Sequence, residues 1–455
     1  MFKSKTGMYM YISAIVFLAL ILVFFTVYAL VSGSTSQTAE NNKTEISVFT
    51  SVGDYTEKYT LLNEAAVEYM DSHPDISVKC STLPEEEFNI KLQTDVASGR
   101  CPDIIITYPT ATMKTLFDRG LIADLTEEFE NDRAWYDSFD KSVLQLCTSD
   151  ERIFASPMET EYIVLFANKK ILKQNGLALP KTYDELKNCV SVLSANSVTP
   201  FAFGLKDENL FLYQALIAGC GGSRAIETAV NSRTFSSAYT DAMNLLKELF
   251  NMGAFSNGFE TLSRAEVQKM FINEKAAFIA ESSSFAGEIE NSINSSDAAK
   301  TFEVLAMPCP GAYYTSQTES ERNFYPLIYG AGDMTVFVSP AAYRTKHDAV
   351  TDYVKYLTSS GVKSKFVSRA KYISALKSYD TPVKNGPLIT QCNILTLSSA
   401  EFTLTPSNVT DRLIWGHTFS SSAAAVLRGE ASPEDIISQA ESLCQISSPK
   451  GGDNR

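Results

Sequence analysis

The chain has 455 residues, of which 45% are hydrophobic and 20% charged, and its formal net charge is -14. This length exceeds what a single hydrophobic core usually supports, so we expect two lobes, and the composition is that of an ordinary globular protein. The negative charge argues against nucleic acid as a partner, because binding a polyanion requires clustered Lys and Arg. A neutral or weakly charged small molecule fits this composition better.

The amino terminus carries a 24-residue stretch without any charge, Met8 to Val31, preceded by Lys3 and Lys5. At about 1.5 Å per residue a helix of this length spans roughly 36 Å, enough for a hydrocarbon core of about 30 Å. The lysines favour a cytoplasmic amino terminus, which places the remainder outside. We therefore interpret residues 1–31 as a transmembrane anchor at the cell membrane. A cleaved signal peptide is the alternative, although its apolar region is usually only ~7 to 15 residues long.

The next segments alternate between strand and helix patterns. Residues 32–42 are polar and are predicted to form a flexible linker. Glu45 to Thr50 reads as a strand, and Tyr59 to Met70 shows apolar residues at helical spacing. A second strand and helix follow, and the uninterrupted run Ile104 to Ile106 is typical of a parallel strand buried on both faces. The sequence predicts a β-α-β-α-β unit.

Several ordered motifs resemble one known family. Pro157 and Glu159 lead into the strand Ile163 to Phe166, which is followed by Asn168-Lys169. Further matches are the Ala97 to Asp103 joint, the Gly120 to Thr126 turn, the Ala265 to Ala280 helix-turn-strand, and Gly429 with the helix start Ser432-Pro433. Together they resemble the family 1 extracellular solute-binding proteins, maltose-binding-protein-like carbohydrate receptors of ABC importers.

The resemblance implies an α/β fold of the type II periplasmic-binding-protein kind, with two lobes, a cleft between them and an amino-terminal transmembrane helix in front. It implies a monomer without cofactor or metal that captures a solute, most often a sugar, by lobe closure and delivers it to ABC permease subunits in the membrane. The segments expected are residues 43–158 and 308–358 for lobe one, 159–307 and 359–445 for lobe two, and 446–455 as a disordered tail. The strands predicted to cross between the lobes are Glu161 to Phe166 and Glu303 to Met307.

No catalytic motif stands out in the sequence. The three histidines, His73, His347 and His417, are not at HExxH spacing, and neither a GxSxG elbow nor a GxxxxGK[ST] loop occurs. We therefore predict a protein that is not an enzyme. Two alternatives remain open: a membrane-tethered sensor that does not transport, which an adjacent permease gene would argue against, and a glycan hydrolase, which would release products from sugars.

Candidate ligand contacts are the segments that follow the predicted strands, where open α/β sheets bind ligands. Carboxylates, hydroxyls and aromatic rings suit sugars, which present both hydroxyl groups and apolar C–H faces. Trp415 ranks highest among the rings because the resembling family commonly places a cleft aromatic there. The residues predicted to contact ligand are Ser51, Asp54, Tyr108, Glu159, Glu161, Tyr162, Phe211, Phe285 and Trp415.

The eight cysteines are widely scattered and contain no CxxC pair. An extracytoplasmic location permits disulfides, but eight cysteines allow 105 connectivities, and the sequence does not choose among them. Small buried thiols are an equally good interpretation of several of them.

Overall fold

The computed structural model describes residues 43–207, 210–232, 234–295, 303–310, 328–331, 334–371, 373–376, 388–389, 391–392, 395 and 414–446. The strands are β1 Thr44–Thr50, β2 Ile76–Thr82, β3 Ile104–Thr107, β4 Thr148–Ser149, β5 Arg152–Ile153, β6 Ser156–Pro157, β7 Glu159–Asn168, β8 Thr199–Phe201, β9 Ala276–Ser282, β10 Val304–Met307, β11 Ile328–Ala331, β12 Thr335–Val338 and β13 Ile373–Ser374.

The helices alternate with these strands through most of the chain. They are α1 Glu57–Ser72, α2 Glu85–Ala97, α3 Ala111–Asp118, α4 Thr126–Asn131, α5 Arg133–Ser138, α6 Lys141–Gln145, α7 Lys169–Gln174, α8 Tyr183–Ala195, α9 Phe211–Ser232, α10 Ser237–Asn251, α11 Arg264–Ile272, α12 Phe285–Ser295, α13 Pro340–Thr345, α14 His347–Leu357, α15 Ser360–Arg369, α16 Ser421–Leu427 and α17 Pro433–Ile446. A π-helical turn, Trp415–Ser420, precedes α16.

The sheet of lobe one has the strand order β2-β1-β3-β12-β6. β1 pairs in parallel with both β2 and β3, and β12 pairs antiparallel with β3. All four residues of β3 are buried, because α-helices cover both faces of a parallel strand in this position. The predicted β-α-β-α-β unit is confirmed.

The sheet of lobe two is built around β7. Its path is β10-β7-β9-β8, and β11 and β13 also pair with β7. Every residue of this ten-residue strand is buried except Glu161, which is half-buried. β7 is therefore the central strand of the lobe-two sheet, and Glu161 is its one partly accessible side chain.

Three passages of the chain meet where the lobes join. The backbone N–H of Met158 donates to the carbonyl of Met334 at 2.9 Å, and the N–H of Ala375 donates to the carbonyl of Met158 at 3.3 Å. The predicted lobe boundary between residues 158 and 159 falls at this junction, but Glu161–Phe166 and Glu303–Met307, which were predicted to cross between the lobes, both pair within the lobe-two sheet. β10 lies wholly within the lobe-two sheet, paired with β7. The chain instead returns to lobe one between β11 and β12.

The predicted boundary between residues 358 and 359 is also too early. Helix α15 packs on α1 of lobe one, with the Arg369 guanidinium 2.6 Å from the Glu64 carboxylate and Lys365 2.5 Å from Glu68. Val362 and Phe366 on the same helix belong to the hydrophobic cluster that also contains Leu62 and Tyr69 of α1. Lobe one thus includes α15, and the third crossing follows it at β13.

The remaining expectations on the chain ends and cysteines are tested only in part. The anchor Met8 to Val31, the linker 32–42 and residues 447–455 of the expected tail lie outside the described residues, and Ile446 ends α17. Within the described ranges, none of the helices combines the length and apolarity needed to cross a bilayer. The seven cysteines whose side chains are described, all except Cys444, are free thiols.

Candidate functional site

Two predicted ligand contacts come together at the junction of the lobes. Tyr108 follows β3 in lobe one, and Glu161 projects from β7. The Tyr108 hydroxyl donates a long hydrogen bond of 3.5 Å to Oε2 of Glu161. Both side chains are half-buried, so they lie in contact with solvent between the two lobes.

A second pair, from lobe two, lies in the same region. Arg264 at the start of α11 makes a bidentate contact with Glu281 of β9: Nη2 lies 2.7 Å from Oε1, and Nε lies 3.0 Å from Oε2. The Arg264 side chain is 39% exposed whereas that of Glu281 is 2% exposed. The arginine therefore covers a buried carboxylate and keeps part of its own donor set accessible.

The Glu281 carboxylate is fully occupied by donors. Besides Arg264, it accepts from the side-chain amide of Gln268 at 3.0 Å and from the backbone N–H of Ser282 at 2.7 Å. Charge-assisted hydrogen bonds of this kind are roughly twice as strong as neutral ones and fix geometry. Glu281 thus positions Arg264, and Arg264 is the group that faces the cleft.

Electrostatic coupling links the two pairs. Burial by itself lowers the pKa of Arg264, but the charge of Glu281 and the hydrogen bonds to it raise that pKa above its ordinary value, and Glu161 and Tyr108 contribute in the same direction. On α12, partial desolvation of the exposed Glu288 carboxyl raises its pKa, and the charge of Arg264 opposes this rise. Arg264 is the cation around which these acids are grouped, since an arginine side chain keeps its proton in proteins.

Phe211 supplies an apolar surface beside these groups. The Arg264 guanidinium carbon lies 5.1 Å from the centroid of the Phe211 ring, which is within cation–π range. The ring is half-buried, so it keeps an accessible part. The site thus combines donors, acceptors and ring faces, the set of groups that a hydroxylated ligand with C–H faces requires.

Three predicted rings lie in the core instead. Tyr162, Phe285 and Trp415 are each 1% exposed. The Tyr162 hydroxyl donates to the Cys392 carbonyl, and the Phe285 ring meets Phe166 edge-on with centroids 5.8 Å apart. As ligand-stacking surfaces these three predictions are wrong for the described structure, because neighbouring side chains already cover the rings.

Trp415 shows the reason most clearly. It begins the π-helical turn that packs in the lobe-two core, and its ring lies 5.1 Å from Phe419 and 6.0 Å from Tyr213, measured between centroids. Position along the chain predicted a cleft aromatic. In the structure, however, the Trp415 ring lies on the inner face of the π-helical turn and points into the lobe-two core.

Glu159 is also committed to structure. Its carboxylate is 0% exposed and lies 2.7 Å and 2.9 Å from Nζ of Lys58, in the first turn of α1. This ion pair connects a lobe-one helix to the first residue of the crossing strand. Glu159 therefore holds the junction and presents no free acceptor to the cleft.

A contact between two hydroxyl groups joins the loop after β1 to the end of β3. Ser51 Oγ lies 2.9 Å from Thr107 Oγ1, and Asp54 is exposed in the loop after β1. Next to them, a small cavity of about 30 Å³ is lined by both polar and apolar side chains, among them Gln93, Thr107, Tyr108, Leu92 and Met113. This volume holds about one water molecule, so the cavity is too small to hold a sugar ring.

Sequence reasoning missed Arg264 and Glu281. Glu281 lies near the carboxyl end of β9, so the strand-end rule could have identified it had that strand been included. No local signal pointed to Arg264. Among the described residues, no group of three His, Cys, Asp or Glu side chains could hold a metal ion.

Comparisons with known proteins agree with this architecture. The multiple sugar-binding protein of Streptococcus mutans serotype c (strain ATCC 700610 / UA159) is 24% identical over 338 residues, covering 72% of this chain and 74% of that protein. A chitin oligosaccharide binding protein shares the fold with a TM-score of 0.74 at 19% identity, covering 89% of this chain and 99% of that one. The structure of RafE in complex with raffinose has a TM-score of 0.66 at 17% identity, and the match covers 88% of this chain and 98% of that one.

The match at the level of the family is more extensive. The sequence profile of the family described as bacterial extracellular solute-binding protein matches residues 53–364. The resemblance identified from the sequence motifs is thereby confirmed. Because the matched segment covers more than half of the chain, the protein belongs to the bacterial extracellular solute-binding protein family.

Proposed function

We propose that this protein captures a neutral carbohydrate outside the cytoplasm and delivers it to the permease of an ABC importer. The observation that carries this proposal is the grouping of Tyr108, Glu161 and Arg264 with the Phe211 ring at the junction of two lobes. These groups offer hydrogen-bond donors, acceptors and an aromatic surface to one ligand. The sugar-binding names of the relatives support the same assignment.

The charges at the site favour a neutral sugar over an acidic one. Among the described side chains grouped here, Arg264 is the cation, and the bidentate contact with Glu281 already balances its charge. Glu161 adds a further carboxylate, and a carboxylate on the ligand would meet it in a partly desolvated cleft, where like charges repel strongly. Sugar hydroxyls, by contrast, can donate to Glu161 and accept from Arg264.

Transport requires no covalent chemistry from these side chains. The three crossings at Met158 form a short connection, and rotation about such a connection closes two rigid lobes over a ligand. We infer that the protein acts by this closure and not as an enzyme. A sugar recovered unchanged after incubation with the protein is the expected result, and a hydrolysed sugar would favour the hydrolase alternative.

The membrane attachment is likewise proposed. The uncharged stretch Met8 to Val31 has the length of a membrane span, and Lys3 and Lys5 precede it. These features support an anchor that keeps the binding lobes beside the permease, on the outer side of the membrane.

The test is sugar binding by a variant that removes one charge without changing shape. Glu161→Gln should weaken carbohydrate binding by about tenfold to a hundredfold, because hydrogen bonds to a charged group contribute roughly 1.5–3 kcal/mol. The melting temperature without sugar should stay near that of the wild type, since Glu161 is half-buried. Calorimetric titration with raffinose and chitin oligosaccharides measures the affinity, and Glu130→Gln at an exposed position is the matched control. Equal affinity of Glu161→Gln and wild type would contradict the proposed site.

A further inference from the structure

Two asparagine-glycine pairs lie in turns within the described part of the chain. Asn175-Gly176 follows α7, and Asn257-Gly258 lies in the loop between α10 and α11. A further pair, Asn385-Gly386, lies outside the described residues. Asparagine is a labile residue, above all before glycine, because a glycine without a side chain lets its backbone nitrogen approach the asparagine side-chain carbonyl. The two described turns therefore offer the same chemistry in different surroundings.

Asn175 is held by hydrogen bonds at both ends of its side-chain amide. Its Nδ2 donates to the Ile171 carbonyl at 2.8 Å, and its Oδ1 accepts from the side-chain amide of Asn196 at 2.8 Å. The N–H of Gly176 donates to the Lys173 carbonyl at 3.1 Å. The Gly176 nitrogen cannot attack the Asn175 side chain without breaking these bonds, so the fold protects this pair.

Asn257 lacks this protection. It is exposed, and the N–H of Phe259 donates to the Ser256 carbonyl at 3.3 Å, which closes a β-turn around Asn257-Gly258. Gly258 has φ 79° and ψ 13° whereas φ is not positive at Asn257, so the turn is of type II. Among the residues that the structure describes, none is hydrogen-bonded to the Asn257 side-chain amide or to the Gly258 N–H. The peptide plane between the two residues can therefore rotate without breaking the bond that closes the turn.

We propose that Asn257-Gly258 is a site of spontaneous deamidation that the fold leaves accessible. The Gly258 nitrogen loses its proton and attacks the side-chain carbonyl carbon of Asn257; the new N–C bond closes a succinimide ring, and ammonia leaves. Water then opens the ring at either carbonyl, which gives aspartate or isoaspartate. A Cβ atom added at Gly258 would have no neighbour within 4 Å, so the ring has room to form.

The product adds a negative charge to a turn that already lies beside one. The carboxylate of Glu260, two residues after Gly258, lies 3.4 Å from Nη1 of Arg428. In isoaspartate the main chain also runs through the former side chain, which lengthens the loop before α11 by a methylene group. Arg264 is the first residue of α11, so the modification changes the segment that leads to the candidate site.

The experiment follows both pairs in the same folded protein. The full chain is incubated at mildly alkaline pH, well below its melting temperature, and the peptides that contain Asn175 and Asn257 are quantified over time by mass spectrometry. The signal is the mass change that accompanies replacement of the amide NH2 by OH. Conversion at Asn257 should be at least about tenfold faster than at Asn175, because several hydrogen bonds must break before Asn175 can react.

Two controls make the comparison decisive. In the same chain unfolded in guanidinium chloride, both pairs should convert at similar rates, because unfolding removes the protection of Asn175. Asn257→Gln should abolish the product in this peptide, because the longer side chain closes the corresponding larger ring much more slowly. Product that persists in Asn257→Gln would show that another residue reacts.

Two results in the folded protein would overturn the proposal. The first is equal conversion at Asn175 and Asn257, which would mean that the hydrogen bonds around the two pairs do not decide their reactivity. The second is an unchanged Asn257 after a time in which the unfolded chain has converted both pairs, which would mean that the turn itself prevents the ring from closing.

Discussion

Replacing Trp415 by alanine tests whether this ring belongs to the core or to the cleft. The side chain is 1% exposed in the lobe-two core, between Phe419 and Tyr213. A tryptophan buries roughly 150–250 Å², which at about 25 cal/mol per Å² corresponds to an upper estimate of about 4–6 kcal/mol. Measured Trp→Ala substitutions in cores cost about 3–5 kcal/mol, since the remaining cavity relaxes only in part.

We expect Trp415→Ala to lower the free energy of unfolding by about 3–5 kcal/mol, a large part of the roughly 5–15 kcal/mol that a typical domain possesses. At about 2–4 °C per kcal/mol, the melting temperature should fall by roughly 6–20 °C. Circular dichroism follows the loss, because the chain contains only two tryptophans and the variant keeps fluorescence from Trp135 alone.

Sugar affinity of Trp415→Ala, measured well below its melting temperature, should remain near that of the wild type. Trp415→Phe keeps a ring in the core and should recover most of the stability. A variant with unchanged melting that has lost sugar binding would refute the core assignment and restore the ring to the cleft.

Two further predictions concern charge and the amino terminus. Burial lowers the pKa of Lys363 well below its ordinary value. Between that lowered pKa and about 10.4, the unfolded chain binds a proton that the folded chain does not. The free energy of unfolding should therefore rise with pH in this range, by up to about 1.4 kcal/mol per pH unit. Urea denaturation between about pH 7 and 9.5 measures this rise. The rise should be flattened in Lys363→Met and kept in the control Lys365→Met, whose lysine is exposed on the same helix. If the free energy of unfolding changes with pH equally in both variants, the assignment is contradicted. The intact mass of protein extracted from membranes should include Met8 to Val31, and a chain that begins near Leu30 or Ser32 would disprove the uncleaved anchor.

The order of helices and strands was predictable because its signals are local. The apolar run of β3 and the helical spacing of α1 depend only on neighbours in sequence, and both elements were found. The sheet to which a strand belongs is not a local property. The pattern of Val304–Met307 correctly predicts a strand, but only the pairing with β7 shows that it stays in lobe two.

The lobe boundary failed for a related reason. The amphipathic pattern of α15 says that one face is buried, but it does not say against which lobe. Contacts with α1, separated by about 300 residues of chain, decide this: the Arg369–Glu64 hydrogen bonds join positions 305 residues apart. Information of this kind is absent from sequence periodicity.

The part of the candidate site formed by β3 and β7 was predictable from the sequence, but the part formed by α11 and β9 was not. Tyr108 and Glu161 follow from the rule that ligands meet the ends of strands and the crossing segment. Arg264 and Glu281 are 17 residues apart and form one unit only after α11 and β9 have packed together. Trp415 was misplaced because proximity to a motif was given more weight than the helical face on which the ring lies.

Burial divides the ionisable groups at the lobe junction into two kinds. Glu159 and Lys363 are fully buried; Glu159 is ion-paired with Lys58, and Nζ of Lys363 donates to the Pro157 carbonyl at 3.1 Å and lies 4.5 Å from the Phe139 ring centroid. Such groups cannot exchange these contacts for a ligand without leaving a buried charge or polar group unsatisfied, which is strongly unfavourable. Glu161 and Arg264 are partly exposed, so they can replace water by sugar hydroxyls at little cost. Substitutions of the first kind should therefore change stability, and substitutions of the second kind should change affinity, although both lie beside the same crossing strand.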